Sequence, residues 1–144
     1  MILVFGKTGQ VATELQRLGD VVVLGRDQAD LTNPAACADA IRTHAPRAVI
    51  NAAAYTAVDR AEEEEALAIT INGDAPTAMA QACAELGIPL IHISTDYVFA
   101  GTGDAPWHPN DPTAPQNAYG RSKLAGEMGI RNSGAVHAIL RTSW

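Results

Sequence analysis

A tyrosine and a lysine four residues apart, Tyr119 and Lys123, are the residues of this sequence best suited to acid–base chemistry. In a helix this spacing puts both side chains on one face. A lysine ammonium beside a phenol favours the phenolate, so we expect a lowered pKa for Tyr119 and a role as proton donor and acceptor near neutral pH. A Tyr-x-x-x-Lys pair alone is usually a surface pair, so its interpretation depends on which other groups lie beside it.

Polar and small residues follow two apolar runs of the sequence. Ser94-Thr95-Asp96-Tyr97 ends one run, and Asn51-Ala52-Ala53-Ala54 ends another. If both runs are neighbouring strands of a parallel sheet, these residues meet at its carboxyl edge, where α/β proteins bind ligands. The alanines, read alone, fit close packing as well as ligand clearance, and the polar groups beside them favour the ligand.

A glycine-containing turn, Gly6-Lys7-Thr8-Gly9-Gln10-Val11, follows the first apolar run and opens a helix-length stretch. Backbone N–H groups and the helix dipole can hold a pyrophosphate at such a turn. Ala12 stands where the dinucleotide fingerprint has its third glycine, a small change that still permits close packing. Lys7 resembles the lysine of a nucleoside triphosphatase loop, but the spacing of that motif is absent, which excludes this class.

The residues after the second apolar run bear on the choice of cofactor. Arg26 could meet the 2′-phosphate of NADPH, whereas Asp27 or Asp30 could accept a hydrogen bond from a ribose hydroxyl or the adenine amino group. These signals conflict, and a solvated loop explains them as well, so NADPH and NADH both stay open.

Five short apolar runs and four helix-length stretches alternate along the chain. We expect strands at 2–5, 21–24, 48–50, 90–93 and 136–140, and helices at 10–18, 34–44, 62–86 and 118–131, the third kinked or split near Asn72–Pro76. This pattern predicts an α/β fold, a Rossmann-type doubly wound parallel sheet of about five strands in order 2-1-3-4-5 with helices on both faces. The long segment 99–116 is expected to be a functional or mobile loop.

Composition limits the function classes. The 144 residues, 47% hydrophobic, fit one globular domain, and the net charge of -6 suggests neither nucleic acid nor an anionic membrane as a partner. The acidic run Asp59–Glu65 is expected to be a solvated helix start. Cys37 and Cys83 lack metal-ligand spacing and are expected to be buried, reduced thiols, which favours a cytoplasmic location, and no targeting or membrane segment is recognised.

These blocks together resemble the extended short-chain dehydrogenase/reductases, and within them the dTDP-4-dehydrorhamnose reductases. The resemblance runs nearly end to end and is carried by the glycine turn at 6–11, Asn51–Asp59, Ser94–Phe99, Pro112–Pro115, Tyr119–Glu127 and Arg141–Trp144. It implies that NAD(P)H reduces the 4-keto group of dTDP-4-dehydro-L-rhamnose to give dTDP-L-rhamnose, a nucleotide sugar for polysaccharide biosynthesis.

The resemblance also implies roles for individual residues. Tyr119 is the expected proton donor, Lys123 lowers its pKa and binds the nicotinamide ribose, and Thr95 holds the reacting oxygen. Substrate contacts are expected at Thr95, Asp96, Tyr119 and Trp144. Glu14 matches a magnesium ligand that some members place at a dimer contact, so Mg²⁺ and a homodimer are expectations, although an exposed helix glutamate explains Glu14 too. The expected cofactor-binding residues are Gly6, Thr8, Gly9, Gln10, Val11, Arg26, Asp30, Leu31, Ala52, Ala53, Ala54, Tyr55, Thr56, Tyr119 and Lys123.

Members of this family continue for roughly as many residues again, and that part supplies most of the dTDP-sugar pocket. Residues 1–144 are therefore expected to be the NAD(P)-binding Rossmann domain, with the substrate-binding C-terminal part of the family outside this sequence. Two alternatives stay open: another nucleotide-sugar epimerase or dehydratase of the same superfamily, and a non-catalytic NAD(P)-binding regulatory subunit.

Overall fold

A single five-stranded sheet forms the centre of the molecule. The computed structural model describes residues 1–143. All neighbouring strands pair in parallel, in the order β2-β1-β3-β4-β5, which confirms the predicted topology. The strands are β1 (Ile2–Phe5), β2 (Val21–Leu24), β3 (Ala48–Asn51), β4 (Leu90–Thr95) and β5 (His137–Thr142).

Five α-helices connect these strands, and their ends carry recognisable caps. The side-chain oxygens of Asn33 and Asn117 accept from Ala36 N at 3.2 Å and Gly120 N at 2.7 Å, and Gly87 ends its helix in the left-handed region at φ 66°. The helices are α1 (Gln10–Leu18), α2 (Pro34–His44), α3 (Glu65–Ile69), α4 (Ala75–Leu86) and α5 (Ala118–Asn132).

Helices cover both faces of the sheet, as predicted. The connection from β1 to β2 runs along the sheet in the opposite direction to the three later connections. Because parallel crossovers are right-handed, α1 lies on one face and α2, α4 and α5 lie on the other. The last three helices pack side by side, α2 on α4 and α4 on α5.

The third predicted helix contains a π-helical turn, at the place where the sequence indicated a kink or a break. It was expected over 62–86, but α3 begins at Glu65 and ends at Ile69, a π-helical turn follows over Thr70–Asp74, and α4 begins at Ala75. Residues Arg60–Glu62 form a separate 3₁₀ turn. Pro76 lies in the first turn of α4, where its missing N–H is tolerated.

The core lies between the sheet and the α2–α4–α5 layer. Leu3, Val49 and Leu90 are fully buried on three adjacent strands, and Met79 and Ile130 are fully buried on the helices. The core also contains the predicted free thiols, Cys37 and Cys83; burial raises their pKa values to about 11 and about 12. None of the helices within residues 1–143 has the length and apolar character to cross a membrane.

Candidate functional site

A cleft of about 1150 Å³ opens at the carboxyl edge of the sheet. It extends from the start of α1, across the ends of β2 and β3, to the end of β4 and the first turns of α5. Every described residue that the sequence assigned to a cofactor lines this cleft, and so do Thr95 and Glu14. The strand ends therefore bring together residues that lie more than a hundred positions apart in the chain.

The glycine turn, residues 6–11, forms one end of the cleft. Gly6 has φ +109°, and a Cβ there would lie 3.2 Å from the backbone carbonyl group of Ala52, so a side chain would strain the turn and crowd the end of β3. Gly9 is the N-cap of α1 and provides no side-chain cap. The first backbone N–H groups of α1 are consequently available to an anion at the helix N-terminus.

Arg26, Asp30 and Leu31 form the outer part of the same end. Arg26 is exposed and Leu31 is 8% exposed, so a charged surface lies beside an apolar one. Asp30 Oδ1 accepts a hydrogen bond from Thr32 N at 2.9 Å, and this bond lowers the pKa of Asp30. Asp27 lines the cleft as well. All three charged residues that the sequence offered for contacts to the adenosine part of the cofactor therefore lie in the cleft: Arg26, Asp27 and Asp30.

The segment Ala52–Thr56, at the end of β3, is held by two buried asparagines. Asn51 Oδ1 accepts from Ala53 N at 3.2 Å. Asn72 Oδ1 accepts from Tyr55 N at 2.8 Å, and Asn72 Nδ2 donates to Tyr55 O at 2.9 Å. Both backbone groups of Tyr55 are thus fixed, which sets the position of the chain along the middle of the cleft.

His92 lies beneath this segment and is fully buried. Its Nδ1 is 3.1 Å from Asn51 Nδ2, and its Nε2 has no hydrogen-bond partner within the described residues. Burial, and then the charge of Lys123, hold the pKa of His92 well below its ordinary value. The ring is therefore neutral, with Nδ1 accepting from Asn51, and has a packing role.

Thr95, Tyr119 and Lys123 meet at the other end of the cleft. Thr95 is 5% exposed at the end of β4, while Tyr119 and Lys123 are 8% and 2% exposed on one face of α5. The ring of Tyr97 contacts that of Tyr119 edge-on, with centroids 5.6 Å apart. A nucleophile, acid or base at this position is shielded from bulk water on most sides.

The predicted lowering of the pKa of Tyr119 is wrong for this structure. Burial raises its pKa, the hydrogen bond with Thr95 lowers it, and the nearby Asp96 raises it further, with a net increase. Lys123 Nζ donates to the backbone oxygen of Ile93 at 2.6 Å. The spacing of four residues aligned the two side chains on one face but did not determine what the ammonium binds.

Lys123 itself has an unusual titration. Burial lowers the pKa of Lys123 to about 8, and the negative charge of Glu127 acts in the opposite direction. The ammonium is still the major form at neutral pH, but it can lose its proton within about one pH unit. Such a group can assist proton movement near Tyr119.

The acidic run Asp59–Glu65 is not simply a solvated helix start, which corrects the prediction. Glu62 Oε1 accepts from Ala118 N at 2.8 Å, at the beginning of α5. Glu64 accepts from the Tyr55 hydroxyl at 2.7 Å, and Glu65 pairs with Arg121 at 2.7 Å. These carboxylates attach α5 and the middle of the cleft to the segment that leads into α3 and to the first residue of α3.

The remaining predicted residues are Asp96, which accepts a hydrogen bond from Thr95 Oγ1 at 3.3 Å, Glu14, which lies at the edge of the cleft, and Trp144. Asp96 is exposed and lines a second cavity of about 490 Å³, together with Trp107 and His108, not the main cleft. Trp144, an expected substrate contact, lies outside the described residues. Glu14 is exposed on α1 and pairs with Arg17 at 2.7 Å, and within residues 1–143 no three His, Cys, Asp or Glu side chains form a possible metal site.

Sequence reasoning missed Asn72 as a functional residue. Asn72 is 1% exposed, and its Nδ2 also donates to Ser122 Oγ at 3.0 Å, between Tyr119 and Lys123 on α5. It therefore connects the middle of the cleft to the helix that carries the Tyr–Lys pair. The predicted break near Asn72–Pro76 was the available signal, since π turns are frequent at functional sites.

The sheet order and the cleft at its carboxyl edge define a doubly wound, Rossmann-type α/β domain, and Thr95, Tyr119 and Lys123 in that cleft make it one of the short-chain dehydrogenase/reductase kind. Comparison with known proteins is more specific. The chain belongs to the family described as the RmlD substrate binding domain, whose model matches residues 1–144.

Curated relatives of the chain include two enterobacterial proteins named dTDP-4-dehydrorhamnose reductase. The chain is 46% identical to that of Salmonella typhimurium and 48% identical to that of Escherichia coli K12, in each case over 99% of this chain and 50% of the relative. The chain thus spans about half the length of the curated relatives it matches.

Solved structures of the same named reductase have the same fold. The Clostridium acetobutylicum protein gives a TM-score of 0.94 at 38% identity, over 99% of this chain and 53% of that one. The Bacillus anthracis protein, solved in complex with NADP, gives a TM-score of 0.94 at 34% identity with the same two coverages.

Proposed function

We propose that this chain is the cofactor-binding part of an NAD(P)H-dependent dTDP-4-dehydrorhamnose reductase. In this proposal residues 1–144 bind the dinucleotide, and most contacts to the dTDP-sugar come from the part of the family's length that the chain does not span. The observation that carries it is one cleft with a glycine turn at one end and Thr95, Tyr119 and Lys123 at the other.

The residues of the cleft fit NAD(P)H. The uncapped start of α1 offers backbone N–H groups to a pyrophosphate, and the tight approach of Gly6 to Ala52 keeps this end free of side chains. Ala52–Thr56 would line the middle of the cofactor, and Lys123 would bind its ribose. The bound cofactor supplies a hydride for the 4-keto carbon of the sugar.

The reduction also needs a proton at the carbonyl oxygen. Tyr119 suits this step because its raised pKa keeps the phenol protonated at neutral pH, ready to donate. Thr95, whose side chain interacts with Tyr119, would hold the same oxygen and orient it. Lys123 would stabilise the phenolate that remains and, with its pKa of about 8, help to return the proton.

The proposal includes both NADPH and NADH as cofactors, and measured affinities for the two nucleotides would decide between them. The charge of Arg26 favours the 2′-phosphate of NADPH, and the carboxylate of Asp30 favours the free ribose hydroxyl of NADH. The cytoplasm is the proposed location, which the reduced, buried Cys37 and Cys83 support. A homodimer with Mg²⁺ at Glu14 stays a prediction.

Exchange of Tyr119 for phenylalanine tests the proposal. In a full-length protein that contains residues 1–144, Tyr119→Phe should reduce turnover of dTDP-4-dehydro-L-rhamnose by roughly 10²-fold or more, since the proton donor is lost. Its NADPH affinity, measured by nicotinamide fluorescence, should change only a few-fold because the phosphate and adenine contacts are kept.

Tyr97→Phe is the matched control, since it removes a neighbouring hydroxyl from a ring in contact with Tyr119. A similar loss in both variants would indicate general damage to the site. Wild-type turnover in Tyr119→Phe would remove Tyr119 as the acid, and turnover without net oxidation of NAD(P)H would favour an epimerase or dehydratase.

A further inference from the structure

A buried carboxylate lies one helical turn beyond Lys123. Tyr119, Lys123 and Glu127 follow one another at intervals of four along α5, so the three side chains share one face. Glu127 is fully buried. Nothing in the proposed reaction uses it directly, and a buried carboxylate is costly unless it is paired, so its presence needs an explanation.

Two arginines bind the Glu127 carboxylate. Arg141, on β5, makes a two-point contact, with Nε to Oε1 at 2.9 Å and Nη2 to Oε2 at 2.8 Å. Arg131 adds a contact of 3.3 Å to Oε2. Burial raises the pKa of Glu127, but the hydrogen bonds to its carboxylate, first those from Arg141, together with the charges of both arginines outweigh burial and lower the pKa, so the carboxylate is ionised at neutral pH.

Arg141 continues this contact into the long segment between β4 and α5, residues 99–117, here named the β4–α5 loop. Its Nη1 donates to the backbone oxygen of Pro109 at 3.0 Å, and its guanidinium lies 4.8 Å from the centre of the Phe99 ring. Phe99 in turn stacks on Trp107, with ring centres 4.8 Å apart and planes 8° from parallel.

The β4–α5 loop directly joins the two parts of the reacting end of the cleft. It begins after Thr95, Asp96 and Tyr97 and ends just before Tyr119. Its middle is exposed and contains Gly101 and Gly103, both with positive φ values that favour glycine. The contacts from Arg141 to Phe99 and Pro109 lie on both sides of this exposed portion.

We propose that Glu127 is a positioning residue: through Arg141 it holds the β4–α5 loop beside Thr95 and Tyr119, and it places a buried negative charge behind Lys123. This inference rests on the proposed function, because it assigns the charge and the loop to the same reduction. The charged and titratable groups around Glu127 and Lys123 are Arg131, Arg141 and His92. Of these, His92 is neutral.

Three variants of the 144-residue chain test the proposal. Glu127→Gln removes the charge at nearly constant shape, and Arg141→Lys keeps the charge but loses the two-point contact and the reach to Pro109. Glu65→Gln is the matched control, because Glu65 also binds an arginine of α5 at two points, Arg121 at 2.7 and 3.2 Å, but on the exposed surface.

The first measurement is hydrogen exchange of the backbone amides in the β4–α5 loop. Both Glu127→Gln and Arg141→Lys should raise the exchange rates of residues 99–111 by roughly tenfold, since the loop loses its attachment to the helix. Glu65→Gln should leave them unchanged. Unchanged exchange in the loop of Arg141→Lys would overturn the positioning role, and this variant decides the point if Glu127→Gln does not fold.

The second measurement is the pKa of Lys123, read from the NMR shift of its side-chain carbon next to the ammonium. The pKa of Lys123 should fall in Glu127→Gln and stay close to its original value in Arg141→Lys and Glu65→Gln. A merely structural role of Glu127 would not produce this difference between the variants. An unchanged Lys123 pKa in folded Glu127→Gln would overturn the electrostatic part.

Both measurements are made without substrate, so their failure is separate from failure of the reductase proposal. In the full-length protein, Glu127→Gln should shift the alkaline limb of the turnover pH profile to lower pH. A pH profile identical to that of the unchanged protein would contradict the positioning role of Glu127. If neither the unchanged protein nor any variant oxidises NADPH, but the hydrogen-exchange and Lys123 pKa effects are observed, only the reductase function is contradicted.

Discussion

The glycine turn at residues 6–11 and the Tyr–Lys face of α5 line the same cleft but are built from different groups. The glycine turn exposes backbone N–H groups, and its position depends on a close approach between Gly6 and Ala52. The Tyr–Lys face consists of buried side chains, among them Lys123 at 2% and Glu127 at 0% exposure. In the proposed function, one end would bind the cofactor with backbone groups, and the other would react through charges held in the protein interior.

The two ends of the cleft therefore differ in the free energy that it costs to form them. A helix N-terminus is already polar and solvated, so leaving it open costs little. Desolvating an ammonium and a carboxylate costs several kcal/mol each unless partners compensate. The reacting end should therefore be the less stable and more mutation-sensitive half of the cleft, and the following predictions test that expectation.

The largest expected effect comes from placing the same methyl group at both ends. A Cβ at Gly126 would overlap the backbone oxygen of Asn72, whereas a Cβ at Gly9 would have Ala52 O at 4.0 Å as its nearest neighbour. Gly126→Ala should lower the free energy of unfolding by about 3 kcal/mol, because the clash exceeds the gain in helix propensity.

Gly9→Ala is the matched variant and should change stability by less than about 0.5 kcal/mol. It should instead weaken NADPH binding, since its methyl group lies at the start of α1. Chemical denaturation and fluorescence titration measure the two quantities. Equal destabilisation by both variants would remove the distinction between the two ends.

Lys123→Met should stabilise the protein while disabling the site. The pKa of Lys123 falls from 10.5 to about 8 on folding, so its charge costs about 3 kcal/mol at neutral pH, whereas loss of the donor to Ile93 O in Lys123→Met costs about 1 kcal/mol. A net gain of about 2 kcal/mol is expected for Lys123→Met at pH 7.

The sign of the pH dependence provides the check. Between about pH 8 and 10.5 the unfolded chain binds more protons at Lys123 than the folded chain, so the stability of the unchanged protein should rise with pH. The advantage of Lys123→Met should shrink over this window. Urea denaturation at pH 7 and pH 10 measures it, and a constant difference would contradict the desolvation cost.

Arg26→Ala should affect nucleotide binding and not stability. Arg26 is exposed beside the cleft, so its removal should leave stability unchanged and weaken NADPH by about tenfold, with little effect on NADH. Parallel fluorescence titrations with both nucleotides measure this ratio. An equal loss for both would show that Arg26 does not recognise the 2′-phosphate.

The smallest effect is expected at Glu14. Its ion pair with Arg17 is exposed, so Glu14→Ala should change the free energy of unfolding by less than about 0.5 kcal/mol. If Glu14 binds Mg²⁺ at a dimer contact, sedimentation velocity should show Mg²⁺-dependent dimerisation of the unchanged chain that Glu14→Ala abolishes. The same sedimentation profile for both chains, with and without Mg²⁺, would contradict this role.

The strands and the binding end of the cleft were largely predictable from the sequence. Two strands, Ile2–Phe5 and Val21–Leu24, have the predicted bounds, because both are continuous apolar runs that end at a glycine. Gly6 and Gly9 were found for a similar reason: a turn between a strand and a helix depends on local residue types.

The reacting end was predictable only in part, because its contacts join distant elements. Glu127 makes its two-point contact with Arg141, fourteen positions away on a strand, and Asn72 bonds to Tyr55, seventeen positions away. The ammonium of Lys123 binds Ile93 O, so spacing along α5 could not give the sign of the pKa shift of Tyr119. The contacts of the acidic run Asp59–Glu65 could not be predicted for the same reason, because its partners lie on α5 and just after β3.

The π turn at Thr70–Asp74 has a consequence for how this region tolerates changes in length. Ala75 N donates to Thr70 O, five residues back, so this turn holds one residue more than an α-helical turn. Deleting that residue would let α3 and α4 merge into a regular helix and would rotate everything before it by about 100°. Asn72 and Tyr55 would then part, so a one-residue deletion should harm the site more than most substitutions within α3.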